Sequence, residues 1–219
     1  MSEFMGVKIT RAQQSARHAY RRALEKAVRA VSKGSAWRSI QGCLFTEHSG
    51  WFVSVAPGVQ IYEPRTVVNV TAKPMSIDPI FWDLVRLPDN RGQGLSFRLL
   101  GAWTCHAPPF AEIDITDSDD VSAVAEQILR TADAQLADVS KWSVESFLET
   151  CRTQGADQYS YLACQVSTLI ALHRHSEALA LCEAAKTDGS VGGFMAPDGN
   201  FPEMAADWLK RSMAASTRH

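Results

Sequence analysis

Apolar residues change their spacing twice along the chain, and each change marks a change of structure. From 10 to 33, Ala16, Tyr20, Ala23, Leu24, Ala27, Val28 and Val31 recur three or four residues apart. That period places them on one face of a long helix. Lys33-Gly34 supplies a basic last turn and a glycine suited to the helix stop. Arg17, Arg21 and Arg22 crowd beside the apolar face.

From Trp37 to Ile115 the texture becomes β-branched and aromatic, cut by turn residues. Strands are expected over 40–45, 51–56 and 66–73, with a further run at 59–62. Glu47-His48-Ser49-Gly50 reads as a hairpin loop between the first two. Two more strands are expected over 97–105 and 110–115, joined across Pro108-Pro109. Between the strands over 66–73 and 97–105, Asp78-Pro79 opens a short apolar stretch read as one or two helical turns, with Asp78 as the cap.

At Asp117 the period returns to that of a helix. Val121, Val124, Ala125, Ile128, Ala132, Leu136 and Val139 form one stripe, and Asp117, Asp119 and Asp120 suit its N-terminal end. Helical patterns follow over 144–154, 157–173, 176–186 and 203–213. The order predicts an α+β fold: an N-terminal helix, an antiparallel meander of about five strands, then a cluster of C-terminal helices. We expect a core domain over 5–140 and a helical extension over 141–219.

The hydrophobic and charged fractions, 46% and 21%, are ordinary for a globular chain. The N-terminus lacks a basic region followed by an apolar stretch, and no apolar run approaches a membrane span. Glu3-Phe4 before a second methionine has the look of a translated cloning site, so Met5 is expected as the natural start. Five widely spaced cysteines, an odd number, fit reduced thiols, and a cytoplasmic location is expected. The net charge of -2 conceals an asymmetry. Residues 5–38 carry nine basic side chains against Glu25, whereas 112–149 carry ten acidic ones against Arg130 and Lys141.

Candidate chemistry is sparse. Cys105-His106 places a thiol beside a base, but neighbours on a strand point to opposite faces. His173-Arg174-His175 lacks further ligands at metal-binding spacing, and the aspartates after 113 lack the glycine and distal glutamate of a calcium loop. No phosphate-binding, dinucleotide or nucleophile-elbow motif occurs. No catalytic residue, metal site or cofactor is expected. The basic first helix has its charges spread round it and no aromatic but Tyr20, and the isoelectric point is near 6.3. A solvated, partly paired face is therefore expected there, with no nucleic-acid partner.

Strand alternation instead points to a polar sheet face. Asn69 and Thr71 oppose Val68, Val70 and Ala72, Glu112 and Asp114 oppose Ala111, Ile113 and Ile115, and Arg98 opposes Phe97 and Leu99. With Ser54, these form the expected outer face. Its candidate partner-binding residues are Asn69, Arg98, Glu112 and Asp114, continued by Asp117, Asp119 and Asp120 at the helix start. Arg17, Arg21 and Arg22 are expected on a helix remote from it.

The segment 160–186, with Tyr161, Leu162, Leu169, Ser176, Leu179 and Leu181, resembles a single tetratricopeptide-type helical hairpin. Over 10–140, the order of a leading helix, an aromatic-bearing meander (Trp37-Arg38-Ser39-Ile40, Gly50-Trp51-Phe52-Val53), a strand pair and helices resembles small bacterial domains found beside polymorphic toxins. That resemblance implies a cytoplasmic immunity protein whose partner is a cognate toxin. The alternatives are an enzyme with a polar site on the sheet, where Arg98 and Asp114 converge, or a helical scaffold or regulator.

Overall fold

A computed structural model describes residues 10–99 and 103–216. The elements run α1 (Arg11–Val31), β1 (Arg38–Ile40), β2 (Cys43–His48), β3 (Trp51–Val59), β4 (Arg65–Pro74), α2 (Ile77–Leu84), β5 (Pro109–Thr116), α3 (Val121–Val139), α4 (Val144–Thr153), α5 (Leu162–Ala171), α6 (His175–Thr187), β6 (Met195–Ala196), β7 (Gly199–Asn200) and α7 (Phe201–Ser216). The fold is α+β, with the first five strands in one sheet in the order β1-β2-β3-β4-β5. Two compact units share the chain: residues 1–46, 53–71 and 109–138 make the first, and 47–52, 72–108 and 139–219 the second. Compactness thus does not follow a single cut at residue 140.

In the first unit, Thr10 and Gln13 close a capping box that starts α1. Leu24 and Val28 are buried, with Tyr20, Ala27 and Val31 half-buried beside them. Ala16 and Ala23 are exposed, so the buried stripe is narrower than the apolar spacing implied. The sheet contributes Val53, Val55, Val68, Val70 and Ile115 to this core, and α3 contributes Val124, Ala125, Ile128 and Ala132. Leu136, expected in that stripe, is half-buried. Trp37 Nε1 donates to Asp133 Oδ1 at 2.8 Å, tying the chain before β1 to α3.

The expected strand over 40–45 is two strands. Gln41 and Gly42 both have positive φ, at 50° and 79°, and join Ile40 to its partner Cys43. A two-residue loop with two positive φ values is a type I′ turn, which matches the twist of paired strands. Among the described residues of the expected strand over 97–105, none is in a strand. Residues 95–98 make a 3-10 turn, and 100–102 lie outside the described residues. Side-chain anchoring explains why alternation misled here: Phe97 packs on Trp82, and Arg98 is captured by Asp78.

In the second unit α5 is buried on nearly every side from Cys164 to Ile170 and packs against α2, α4 and α6. Its apolar composition all round is what a central helix needs. His173, with φ 58°, ends it and turns the chain into α6, so the expected helical hairpin is present, while 157–161 form a turn rather than helix. Phe81 sits between Phe194 and Phe201 with ring centroids 5.7 and 5.8 Å away. Among the described residues no helix is long and apolar enough to cross a membrane.

Candidate protein-binding surface

Strand β5 is an edge of the sheet and pairs with β4 alone. Their register sets Asn69 opposite Glu112, Val67 opposite Asp114 and Arg65 opposite Thr116. Glu112, Asp114 and Thr116 are exposed, Asn69 and Thr71 half-buried, and Ser54 and Thr71 share a hydroxyl hydrogen bond of 2.6 Å. The strand period thus brings Ser54, Asn69, Thr71, Glu112 and Asp114 to one face, as their alternation implied.

Beyond Thr116 the acidic residues part ways. Asp120 Oδ1 accepts from the amides of Ser122 and Ala123 at 3.1 Å each, which caps α3. Asp119 is exposed. Asp117 turns inward. Its carboxylate takes Arg17 Nη1 at 2.6 Å and the Thr66 hydroxyl at 2.7 Å, and its side chain is only 6% exposed. Arg17 also donates to the carbonyls of Gln60, at 2.8 Å, and Arg65, at 3.3 Å. Its guanidinium lies 5.2 Å from the Tyr20 ring centroid. Burial, and then the negative charge of Asp117, raises the Tyr20 phenol above its ordinary pKa. Two expectations are corrected here. Asp117 is a clamp inside the fold rather than a partner-facing group, and Arg17 is bound to the acidic segment rather than remote from it.

The clamp holds a loop that sequence reasoning passed over. Gln60 N–H donates to Arg65 O at 3.0 Å, and Asp117 N–H donates to Pro64 O at 3.0 Å. These bonds fix 60–64 against the end of β5. At its tip Tyr62 is 66% exposed and Ile61 39%. Arg65 reaches Glu63 at 2.5 Å and Asp114 at 2.8 Å. The result is an exposed tyrosine and isoleucine on a loop that carries Glu63 and is tied to the end of β5, the strand on which Asp114 is exposed and paired with Arg65, with Asp119 and Asp120 exposed just after it in the chain. The available signal was Ile61-Tyr62 before Glu63-Pro64, an apolar pair too close to a turn to be buried by a strand.

Arg98 is not part of this face. It belongs to the second unit, where its Nη1 donates to Asp78 Oδ2 at 3.0 Å and to Met75 O at 3.0 Å. Asp78 does not cap α2. It is fully buried and accepts from Lys73 Nζ and the Cys105 amide, each at 2.9 Å. Lys73 Nζ donates onward to Cys105 O at 2.9 Å. Both carboxylate oxygens of Asp78 are engaged, so the group joins β4, α2, Arg98 and Cys105 in a closed internal network. The polar site once expected from Arg98 and Asp114 is therefore replaced by two separate ion pairs.

His106 is exposed and stacks on Tyr161 at 6.5 Å, beside a cavity of about 300 Å³ that also touches Cys164. Cys164 Sγ donates to His106 O at 3.0 Å, and burial pushes its thiol, like that of Cys105, well above the ordinary range. A protonated, buried thiol is a poor nucleophile. All five cysteines carry free thiols. His173 and His175 stand 6.3 Å apart, and among the described residues no group of three His, Cys, Asp or Glu side chains is placed to hold a metal ion. No protein-family model, curated protein or solved structure matches the chain.

Proposed function

We propose that the chain is a cytoplasmic immunity protein that binds and neutralises a cognate bacterial toxin through the β5 margin and the loop before β4. The observation that carries this reading is the exposed Tyr62–Ile61 pair on a loop tied to the end of β5, the edge strand that carries the exposed Glu112 and Asp114. An aromatic anchor on a surface that also carries charge suits a protein interface: the anchor supplies affinity, and the charged groups supply association rate and selectivity. A basic toxin, such as one acting on nucleic acid, is the complementary partner.

Growth rescue tests the reading. Any secreted-effector protein found encoded beside this gene is expressed in a sensitive bacterium with the wild-type chain, with Tyr62→Ala, or with Glu112→Lys together with Asp119→Lys. The wild type restores growth and forms a complex with the effector. Tyr62→Ala raises its dissociation rate, and the charge reversals slow association most at low salt. If these folded variants protect as well as the wild type, the surface assignment fails. If the wild type protects against no neighbouring effector, the immunity reading itself fails.

A further inference from the structure

A groove on the far edge of the same sheet has the construction of a peptide site. Its volume is about 400 Å³, and it is lined by Arg22, Glu25, Lys26 and Arg29 of α1 and by Ser39, Ile40, Gln41 and Gly42 of β1 and its turn. Arg22, Lys26 and Arg29 follow at spacings of four and three, so they form one row along α1, about 10 Å long. All three are exposed, and none makes an ion pair among the described residues. With Arg17 engaged by Asp117 and Arg21 by Glu25, the cations of α1 that remain are Arg11 at its start and this row. The cations of α1 are therefore sorted by face, rather than spread round the helix. Glu25, the only carboxylate lining the groove, is held by Arg21 at 2.9 Å and lies under Gly42, where an added Cβ would come within 2.7 Å of its Cγ.

The opposite wall is a strand edge. β1 pairs with β2 alone. The two-residue turn makes Ile40 and Cys43 a pair that exchanges both backbone hydrogen bonds. Because such pairs alternate along an antiparallel ladder, the N–H and C=O of Ser39 face away from β2. Ile40, at the end of this edge, is 39% exposed.

We propose that this groove binds an extended acidic peptide segment. The segment adds a strand to β1 through Ser39, sets alternate carboxylates on Arg22, Lys26 and Arg29, and covers Ile40 with an apolar side chain. Strand addition supplies backbone hydrogen bonds, and side chains on alternate positions supply selectivity. The concave wall favours a peptide over a flat anionic membrane. The absence of an aromatic side chain among the lining residues removes the stacking platform that single-stranded nucleic acid uses. The proposal stands apart from the toxin-binding surface, whose Tyr62, Glu112 and Asp119 are untouched by the substitutions below.

The probe is a fluorescein-labelled hexapeptide alternating glutamate and valine, measured by fluorescence anisotropy against the full chain. It should bind, and Arg22→Gln, Lys26→Gln and Arg29→Gln together should weaken it by about tenfold or more. Ser39→Pro removes the outward N–H without touching the β1–β2 ladder, since proline is tolerated on an edge strand. It should weaken binding as well, as should N-methylation of the central peptide amides. Circular dichroism melting confirms that each variant is folded. Three results overturn the proposal: no binding of the acidic peptide at millimolar concentration, equal or tighter binding of an oligothymidine of matching charge, or full binding by both Ser39→Pro and the N-methylated peptide.

Discussion

Replacing Asp117 by alanine should destabilise the first unit by about 3 kcal/mol, the lower end of the range for stranding one member of a buried ion pair. The structure sets that choice within the range. The Arg17 side chain is 18% exposed and keeps the Gln60 and Arg65 carbonyls as acceptors after the carboxylate is gone. Its charge is stranded but not without hydrogen bonds. Thr66, fully buried, loses the acceptor for its hydroxyl, which adds to the cost. Arg17→Met in the same chain removes the stranded cation, so the double variant should recover about 1–2 kcal/mol relative to the sum of the single ones. Denaturant unfolding of the four proteins measures both quantities. Hydrogen exchange adds a local readout. The amide of Gln60, bonded to Arg65 O, should exchange faster in Asp117→Ala if the clamp is what holds the 60–64 loop. A loss below about 1 kcal/mol, or a coupling near zero with unchanged exchange at Gln60, would refute the clamp.

The two ends of the α3 stripe should respond unequally to truncation. Ile128 is fully buried, so Ile128→Ala should cost about 2–5 kcal/mol, while Leu136→Ala at a half-buried site should cost clearly less. Equal midpoints in denaturant would show that the burial assignment is wrong. Stability should also fall at alkaline pH. Burial raises the thiols of Cys105 and Cys164 well above the ordinary range and pushes Cys182 up to about 12. In the unfolded chain these thiols lose their protons from about pH 9 upward while the folded chain retains them. Their contribution is therefore complete below pH 9 and is lost as pH rises, by about 1.4 kcal/mol per pH unit for each thiol. Replacing the three with alanine or serine should flatten that slope, and an unchanged slope would count against buried, protonated thiols.

Much of this architecture was legible because it is written in local periods. A 3.6-residue period placed α1 and α3, and alternation placed β3, β4 and β5 and assigned Asn69, Glu112 and Asp114 to a common face. Asp120 as a cap was equally readable, since a cap depends on the two or three residues after it. Misreadings arose where local pattern was not the deciding force. Phe97 to Cys105 alternates like a strand, but Trp82 and Asp78 claim its side chains. A strand expected over 40–45 folds back on itself because Gln41 joins Gly42 in accepting positive φ.

The sequence by itself determined the class of fold, the order of elements and the separation of basic from acidic segments, because these follow from spacing and composition. Only the tertiary structure decided which charges are spent. Arg17 and Asp117 are a hundred residues apart and nothing in their neighbourhoods marks them as partners, yet they pair with most of both side chains shielded from solvent. Arg22, Lys26 and Arg29 are left exposed on α1 beside β1, while Glu112 is exposed on the β5 edge and Tyr62 on the loop before β4. An ion pair between distant segments depends on how strands and helices close on each other, and no local period carries that information.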